Sequence, residues 1–261
     1  MRLGHRVVLL AALAMLYRPA AGQGPDAAPV LAAAREALGG DQKLSAVKSF
    51  IATGRTRQLR GNNLVPIEFE ISCELPDKFV RTDEFPAQDS DETTIGFNGD
   101  ALIQVPPPPP APQSAPGSGR AGGRGGGPPR IVGVKQDFVR LTLGMFAASF
   151  ASYPLAFKYA AVGEAPEGKA DVLDVTGPAN FSARFVVQRA THLPVMLMWQ
   201  VPSPKGPVEH RIYYGDFREV DGLKLPFRIR RAVAVETTEE TTFDRYRINP
   251  KIDPRKFAPR K

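Results

Sequence analysis

Few side chains in this sequence have the types and spacing needed for catalysis or metal binding. Beyond the N-terminal region the only histidines are His192 and His210, eighteen residues apart on different predicted strands. Histidines scattered in this way are usually turn or surface residues, although an acid–base or metal pair needs only to meet in space. The acidic residues Asp89, Asp91 and Glu92 lack the spacing of a calcium loop and predict a solvated turn.

Other motifs also point away from an enzyme. The segment 117–122 matches the G-x-G-x-x-G dinucleotide fingerprint, but it follows a polyproline run instead of a strand. The sequence contains no nucleophile elbow, Walker loop or H-E-x-x-H motif. The single cysteine, Cys73, excludes an intramolecular disulfide and any multi-cysteine metal site, and its place in an apolar–polar alternation predicts a small buried residue. We therefore expect no catalytic residue, no metal and no cofactor.

One apolar segment is more informative. Every second residue from Leu193 to the only tryptophan, Trp199, is apolar and large, while Met196 and Met198 occupy the other face of the predicted strand. A strand covered by helices on both faces would show this pattern. So would a strand beside a cavity lined by flexible thioethers and an indole ring, which suits apolar ligands of variable shape.

Helical periodicity is found in three places. Ala27 to Leu38 carries its apolar residues on one side and is stopped by Gly39-Gly40, and Asp41 caps a second short turn. The third helix is predicted over 134–150, where two apolar stripes indicate burial around much of its circumference. A helix of this kind is expected inside a curved sheet.

Period-two alternation, the pattern of half-buried antiparallel strands, covers most of the remaining chain. It is clearest from Ile67 to Leu75, and Asp221-Gly222 predicts a tight hairpin turn. Arg228, Arg230 and Arg231 are expected on the outer face of a strand. The series predicts about 10–11 strands in a meander, over Phe50–Leu59, Ile67–Leu75, Phe79–Glu84, Thr93–Val105, 155–163, 171–176, 181–189, 193–201, 208–217, 223–236 and 241–248.

The N-terminal region predicts export. Two arginines precede an apolar run over 7–17, which is too short to span a bilayer, and Ala20-Ala21-Gly22 offers small residues for cleavage before Gln23. We therefore predict a signal peptide over 1–22 and a mature protein in the periplasm. No other run is apolar and long enough to span a membrane, so any association with membranes should be peripheral.

The charge distribution argues against a nucleic-acid partner. The chain carries +7, of which three charges lie in 1–22, three in 106–130 and four net in 251–261, so the rest carries −3. Residues 106–130 include nine prolines and seven glycines and predict a disordered loop. The expected organisation is one domain over 23–250, interrupted by that loop and followed by a basic tail over 251–261.

Four segments, taken in order, resemble the LolA/LolB-like superfamily of periplasmic lipoprotein carriers. Together they cover most of 27–250, and each segment by itself is a weak match. The Pro/Gly insertion and the basic C-terminus depart from the plain carriers. The segments are the helix end Ala37-Leu38-Gly39-Gly40 with Leu44 and Val47-Lys48-Ser49-Phe50, the strand opening Leu75-Pro76-Asp77-Lys78-Phe79-Val80-Arg81, the turn Phe97-Asn98-Gly99-Asp100-Ala101-Leu102-Ile103, and Leu193-Pro194 with the hairpin Tyr214-Gly215-Asp216-Phe217 to Asp221-Gly222-Leu223-Lys224-Leu225-Pro226.

The resemblance implies an α+β fold, an open antiparallel half-barrel whose concave face is covered by helices. It also implies a non-enzymatic periplasmic binder or carrier of an acylated ligand, either a lipid or a lipoprotein. The side chains expected to line the apolar cavity are Phe69, Ile71, Phe79, Leu102, Phe138, Leu141, Met145, Met196, Met198, Trp199, Phe227 and Ile229.

Two other functions are compatible with the residues. The protein could be an envelope sensor or scaffold that binds another envelope protein, in which case the core should be filled and hold no cavity. It could also be a hydrolase with a dispersed site, in which case the cavity should contain a histidine–carboxylate pair.

Overall fold

The computed structural model describes residues 26–88, 90–107, 129–165 and 167–258. Three α-helices are present, α1 (Ala27–Ala37), α2 (Asp41–Ala46) and α3 (Arg130–Phe146), together with a 3-10 turn at Pro254–Phe257. The twelve strands are β1 (Ser49–Arg60), β2 (Asn63–Glu74), β3 (Lys78–Glu84), β4 (Thr93–Asn98), β5 (Ala101–Val105), β6 (Ala156–Ala165), β7 (Gly168–Gly177), β8 (Phe181–Gln188), β9 (Pro194–Val201), β10 (Val208–Val220), β11 (Leu223–Val233) and β12 (Glu236–Ile248).

All twelve strands form one antiparallel sheet that stays open, with β5 and β6 at its edges. Strands that follow one another in the chain are neighbours in the sheet, so β1–β5 and β6–β12 form two meanders. A single non-sequential pair, β1 with β12, joins them. The predicted α+β open half-barrel is therefore confirmed, with the helices on its concave face.

Two predicted boundaries differ from the structure. The segment Thr93–Val105 is a hairpin of two strands, because Gly99 takes a left-handed conformation with φ of 58° and lets Asn98 pair with Ala101. The third helix covers Arg130–Phe146 instead of 134–150, since Ala147 adopts a left-handed conformation that ends it. Phe150 nevertheless stays against the core, with its ring centroid 5.9 Å from that of Phe146.

The main core lies between the three helices and the concave face. Arg35 of α1 donates a hydrogen bond to the carbonyl of Phe146 at the end of α3, joining the two helices at one end of the half-barrel. Leu38, fully buried, accepts a backbone hydrogen bond from Lys224 at the start of β11. The turn before β11 is the predicted Asp221-Gly222 turn, with positive φ at both residues.

The C-terminal segment packs on the convex face. Residues 251–261 are predicted as a basic tail, but Ile252 and Phe257 are buried against Ile51, Val80 and Ile103 of the sheet. The sequence pattern missed this because the two apolar side chains are isolated among charged residues. The predicted signal peptide over 1–22 and nearly all of the Pro/Gly-rich insertion lie outside the described residues.

Candidate ligand-binding cavity

A cavity of about 260 Å³ lies between α3 and the concave face of the sheet. Strands from both meanders contribute to it, since β2, β3 and β4 lie on one side and β11 and β12 on the other. Its lining residues are Ile71, Phe79, Arg81, Ile95, Val134, Asp137, Leu141, Ile229, Arg231, Glu239, Thr241 and Phe243.

Aromatic packing and one hydrogen bond hold α3 in place beside the cavity. The ring of Phe138 lies 5.5 Å from that of Phe79 and 5.4 Å from that of Phe97. On the opposite flank of the helix, the hydroxyl of Tyr214 on β10 donates a hydrogen bond to the backbone carbonyl of Arg140. The helix is thus fixed to both meanders.

The concave face changes character along the strands. Near α1 and α2 it is apolar, as the buried Phe50, Ala52 and Leu225 show. Toward the other end polar side chains take over the same face, and five of them are called here the polar rim: Thr56, Arg81, Arg231, Glu239 and Thr241. The cavity therefore has an apolar floor and a charged opening.

Arg81 is held firmly at the rim. Its guanidinium donates one hydrogen bond to Asp83, at 2.6 Å, and another to the hydroxyl of Thr56, at 3.3 Å. It also lies 4.6 Å above the ring of Phe69, a favourable position for a cation over an aromatic face. Thr56 is fixed in turn by a buried 2.8 Å hydrogen bond with Thr241. This arginine is pre-oriented, with its stem along the apolar wall.

Arg231 is held more loosely. Its nitrogens lie 3.5 Å from a Glu239 carboxylate oxygen and 3.8 Å from one of Asp137, distances of ion pairing without a hydrogen bond. Among the residues that the structure describes, its guanidinium donates no hydrogen bond. None of its five N–H donors is thus used in a hydrogen bond within the described structure, although two of its nitrogens face these carboxylates.

Arg140 of α3 occupies a neighbouring, drier position. Its guanidinium lies 4.3 Å above the ring of Trp199 and 5.6 Å from that of Phe181, and it donates to Asp137 at 2.9 Å. Burial lowers its pKa below the ordinary value for arginine, and the partner carboxylate of Asp137 opposes that shift. The Nε of Arg140 is buried without a hydrogen-bond partner among the described residues.

The predicted cavity residues fall into three groups. Ile71, Phe79, Leu141 and Ile229 line the cavity. Six more belong to the same concave core without lining the cavity, and two lie in a separate cluster on the convex face with Ala170 and Val186. The six are Phe69, Phe138, Met145 and Phe227, which are buried, and Leu102 and Trp199, which are partly buried; the two are Met196 and Met198.

Strand alternation explains the separation of the methionines from Trp199. Side chains at successive positions point to opposite faces, so Met196 and Met198 cannot share the concave surface with Trp199. The same rule corrects the expectation for Arg231, which lies on the inner face two residues after Ile229, whereas Arg228 and Arg230 are on the outer face. Arg81, two residues after Phe79, could have been placed by the same reasoning.

Other expected features can be placed as well. Cys73 is fully buried and free, as predicted. His192 lies in the turn before β9 and His210 on β10 beside Trp199, and neither lines the cavity. In the described parts of the chain, no group of three or more histidine, cysteine, aspartate or glutamate residues is arranged to hold a metal ion. No described helix is both long and apolar enough to cross a membrane.

Comparison with solved structures identifies the fold. The chain is similar to a LolA superfamily protein from Nitrosomonas europaea, with a TM-score of 0.56 and 16% identity over 90% of this chain and 98% of that one. It is also similar to a putative outer membrane lipoprotein-sorting protein domain from Vibrio parahaemolyticus, with a TM-score of 0.52 and 10% identity over 89% and 97% of the two chains. No protein-family model and no curated protein matches the sequence. At these identities the similarity shows the LolA-like fold alone.

Proposed function

We propose that this protein is a periplasmic, non-enzymatic binder or carrier of an acylated ligand, and that the acyl chain lies between α3 and the concave face. The observation that carries the proposal is the cavity under α3, with its apolar floor at Ile71, Phe79 and Ile229. The LolA-like fold supports it, since one solved structure with this fold is described as a lipoprotein-sorting domain. The lining residues include no histidine, so the histidine–carboxylate pair expected of the hydrolase alternative is not found among them.

The size of the cavity suggests one acyl chain. At about 30 Å³ per heavy atom, the share of a water molecule in the liquid, the volume holds about nine carbons. Burying them contributes about 7 kcal/mol before association costs of several kcal/mol. Apolar contact alone would therefore give a weak and releasable complex, which suits a carrier. A larger cargo would require α3 to move away from the sheet.

The first test is to identify the ligand. The full chain is expressed with export to the periplasm, purified without detergent, and analysed by mass spectrometry for co-purifying lipid or acylated peptide. Binding is then measured by isothermal titration calorimetry with an acylated probe, because Trp199 does not line the cavity. The proposal requires either a stoichiometric lipid or saturable binding. A folded preparation that shows neither would exclude the carrier role and leave the sensor or scaffold function.

A second test addresses α3. The ammonium of Lys135 on α3 lies 2.6 Å from a carboxylate oxygen of Asp100, just before β5, so cysteines at these two positions can be joined by a short bis-maleimide. The native Cys73 is buried and should not react. If bulky acylated cargo enters by displacing α3, cross-linking abolishes its binding while each single-cysteine variant treated with the same reagent still binds. Undiminished binding after complete cross-linking would exclude displacement of α3.

A further inference from the structure

We propose that the cavity selects a single-chain amphiphile with an anionic head, a carboxylate or a phosphate, and that Arg81 and Arg231 of the polar rim receive that head. This inference rests on the proposed function and names the class of ligand. It differs from a general affinity for acyl chains, because the carbonyl oxygens of a neutral diacyl or triacyl group could accept hydrogen bonds from the two guanidinium groups but could not form an ion pair with them.

The first support is geometric. Arg81 and Arg231 both line the same cavity, one from each meander, and the carboxylates of Asp137 and Glu239 line it beside them. Beneath them the lining is apolar, formed by Ile71, Phe79 and Ile229. An amphiphile whose chain fills this floor would place its head at the rim.

The second support is the number of unused donors. The guanidinium of Arg231 donates no hydrogen bond within the described structure, and its carboxylate neighbours lie at 3.5 and 3.8 Å. Those acceptors are engaged elsewhere, since Asp137 accepts from Arg140 and Glu239 accepts from Gln58 and Thr241. An anion would therefore find free N–H donors at this opening, and arginine is well suited to bidentate binding of carboxylate or phosphate.

The third support concerns Asp137, which lies between the two arginines Arg140 and Arg231. The buried Arg140 keeps Asp137 close, at 2.9 Å, whereas the contact of Asp137 with Arg231 is long. The head of a ligand can thus engage Arg231 without breaking a short hydrogen bond. Asp137 would act as a weak internal competitor for the ligand, and removing its charge should strengthen binding.

The experiment compares heads on chains of equal length. Decanoate and decyl phosphate are titrated against the full chain at pH 8 and low salt, below their critical micelle concentrations, beside the neutral monodecanoyl glycerol and the cationic decyltrimethylammonium. We expect both anions to bind at least about tenfold more tightly than the neutral or cationic probe. The preference should shrink as salt approaches physiological strength, because the rim is partly exposed. Acetate and inorganic phosphate, which have no chain, should not bind measurably.

Three variants locate the site. Arg231→Gln should weaken binding of the anionic probes much more than binding of the neutral probe, and so remove most of the anion preference. Arg228→Gln, on the outer face of the same strand, should leave the affinities for the anionic and the neutral probes unchanged. Asp137→Asn should raise the affinity for decanoate severalfold, a gain that a folding defect would not produce.

The outcomes separate this inference from the proposed function. Equal binding of anionic and neutral probes would overturn the anionic preference and leave the carrier role intact. Binding of none of the four amphiphiles would overturn both. Tight binding of acetate or phosphate would show that the apolar floor is not used, and it would overturn the amphiphile assignment.

Discussion

The ring of Tyr214 on β10 lies directly against the backbone of Gly144 in α3. A methyl group added at Gly144 would come within 2.3 Å of that ring, far inside van der Waals contact. The absent side chain therefore allows the helix to approach the sheet closely enough for the Tyr214 hydroxyl to reach the carbonyl of Arg140. This contact fixes the height of α3 above the sheet, and with it the depth of the cavity.

Gly144→Ala should destabilise the protein even though alanine favours a helix. Inserting a methyl group into a packed contact costs about 1–3 kcal/mol, more than the gain of up to about 1 kcal/mol in helix propensity. Gly133→Ala in the same helix is the matched control, because no atom lies within 4 Å of the added carbon, and it should be stabilising. Urea denaturation followed by Trp199 fluorescence measures both. Equal stabilisation by the two substitutions would show that the Tyr214 ring moves away from the added methyl group at no cost.

Alkaline pH should unfold the protein through its buried tyrosines. Burial raises the pKa of Tyr214 and of Tyr246 above the ordinary value near 10. In this range the unfolded state loses those protons while the folded state keeps them. The free energy of unfolding therefore falls above about pH 10, by up to about 1.4 kcal/mol per pH unit for each tyrosine. The buried Cys73 thiol, whose pKa is also raised, acts with the same sign from about pH 9.

Urea midpoints between pH 8 and pH 11 measure this effect. Tyr246→Phe keeps the ring while losing the ionisable hydroxyl, so its curve should be flatter than that of the wild type above pH 10. Tyr214→Phe should behave in the same way. If the urea midpoint depended on pH in the same way for the wild type and both variants, the buried tyrosines would not be the cause of the alkaline loss of stability.

His210 should report on the charges around Arg140. Burial, together with the positive charges of Arg140 and Arg231, lowers its pKa below the ordinary value. Arg231→Gln removes one charge but not the burial, so the pKa should rise part of the way back toward about 6.5, as measured by NMR titration of the imidazole. Because the folded state resists protonation, stability should fall as the pH drops below about 6.5, and less steeply in the variant. Arg228→Gln should leave the titration unchanged.

Phe257 should matter for stability although it lies four residues from the end of the chain. Its ring is 1% exposed and packs on the convex face with Ile51, Val80 and Ile103. Phe257→Ala should cost about 3 kcal/mol in urea denaturation, as for other large-to-small core changes. Arg255→Ala, with a side chain 91% exposed, should have little effect. A free, unpacked tail would show no difference between the two variants.

The strands were largely predictable because one buried face imposes a period of two. The Asp221-Gly222 turn could also be predicted, because its residue types favour positive φ. The period-two pattern ran through the hairpin at Gly99 as one strand because apolar residues continue on both sides of the turn, although the resemblance indicated a turn there. The end of α3 depends on a left-handed alanine, Ala147, which local propensity does not favour.

The cavity was predictable only in part. Alternation assigns each residue to a face, which was enough to find Ile71, Phe79 and Ile229. It does not reveal where along a strand the covering helix ends and solvent begins. The position of Arg81 and Arg231 at that limit depends on how α3 lies across two meanders distant in sequence. The polar rim is formed by tertiary packing, so no local pattern in the sequence predicts it.

The pairing of β1 with β12 has a kinetic consequence. Within each meander every strand contacts its predecessor, so both halves can form from short loops. The β1–β12 pair instead joins segments that are far apart in the chain. A buried hydrogen bond links Thr56 to Thr241, which are 185 residues apart. Loop closure over such a distance is slow compared with hairpin formation. We therefore expect the β1–β12 pair to form after the hairpins within each meander, and until it forms the two halves share no cavity floor.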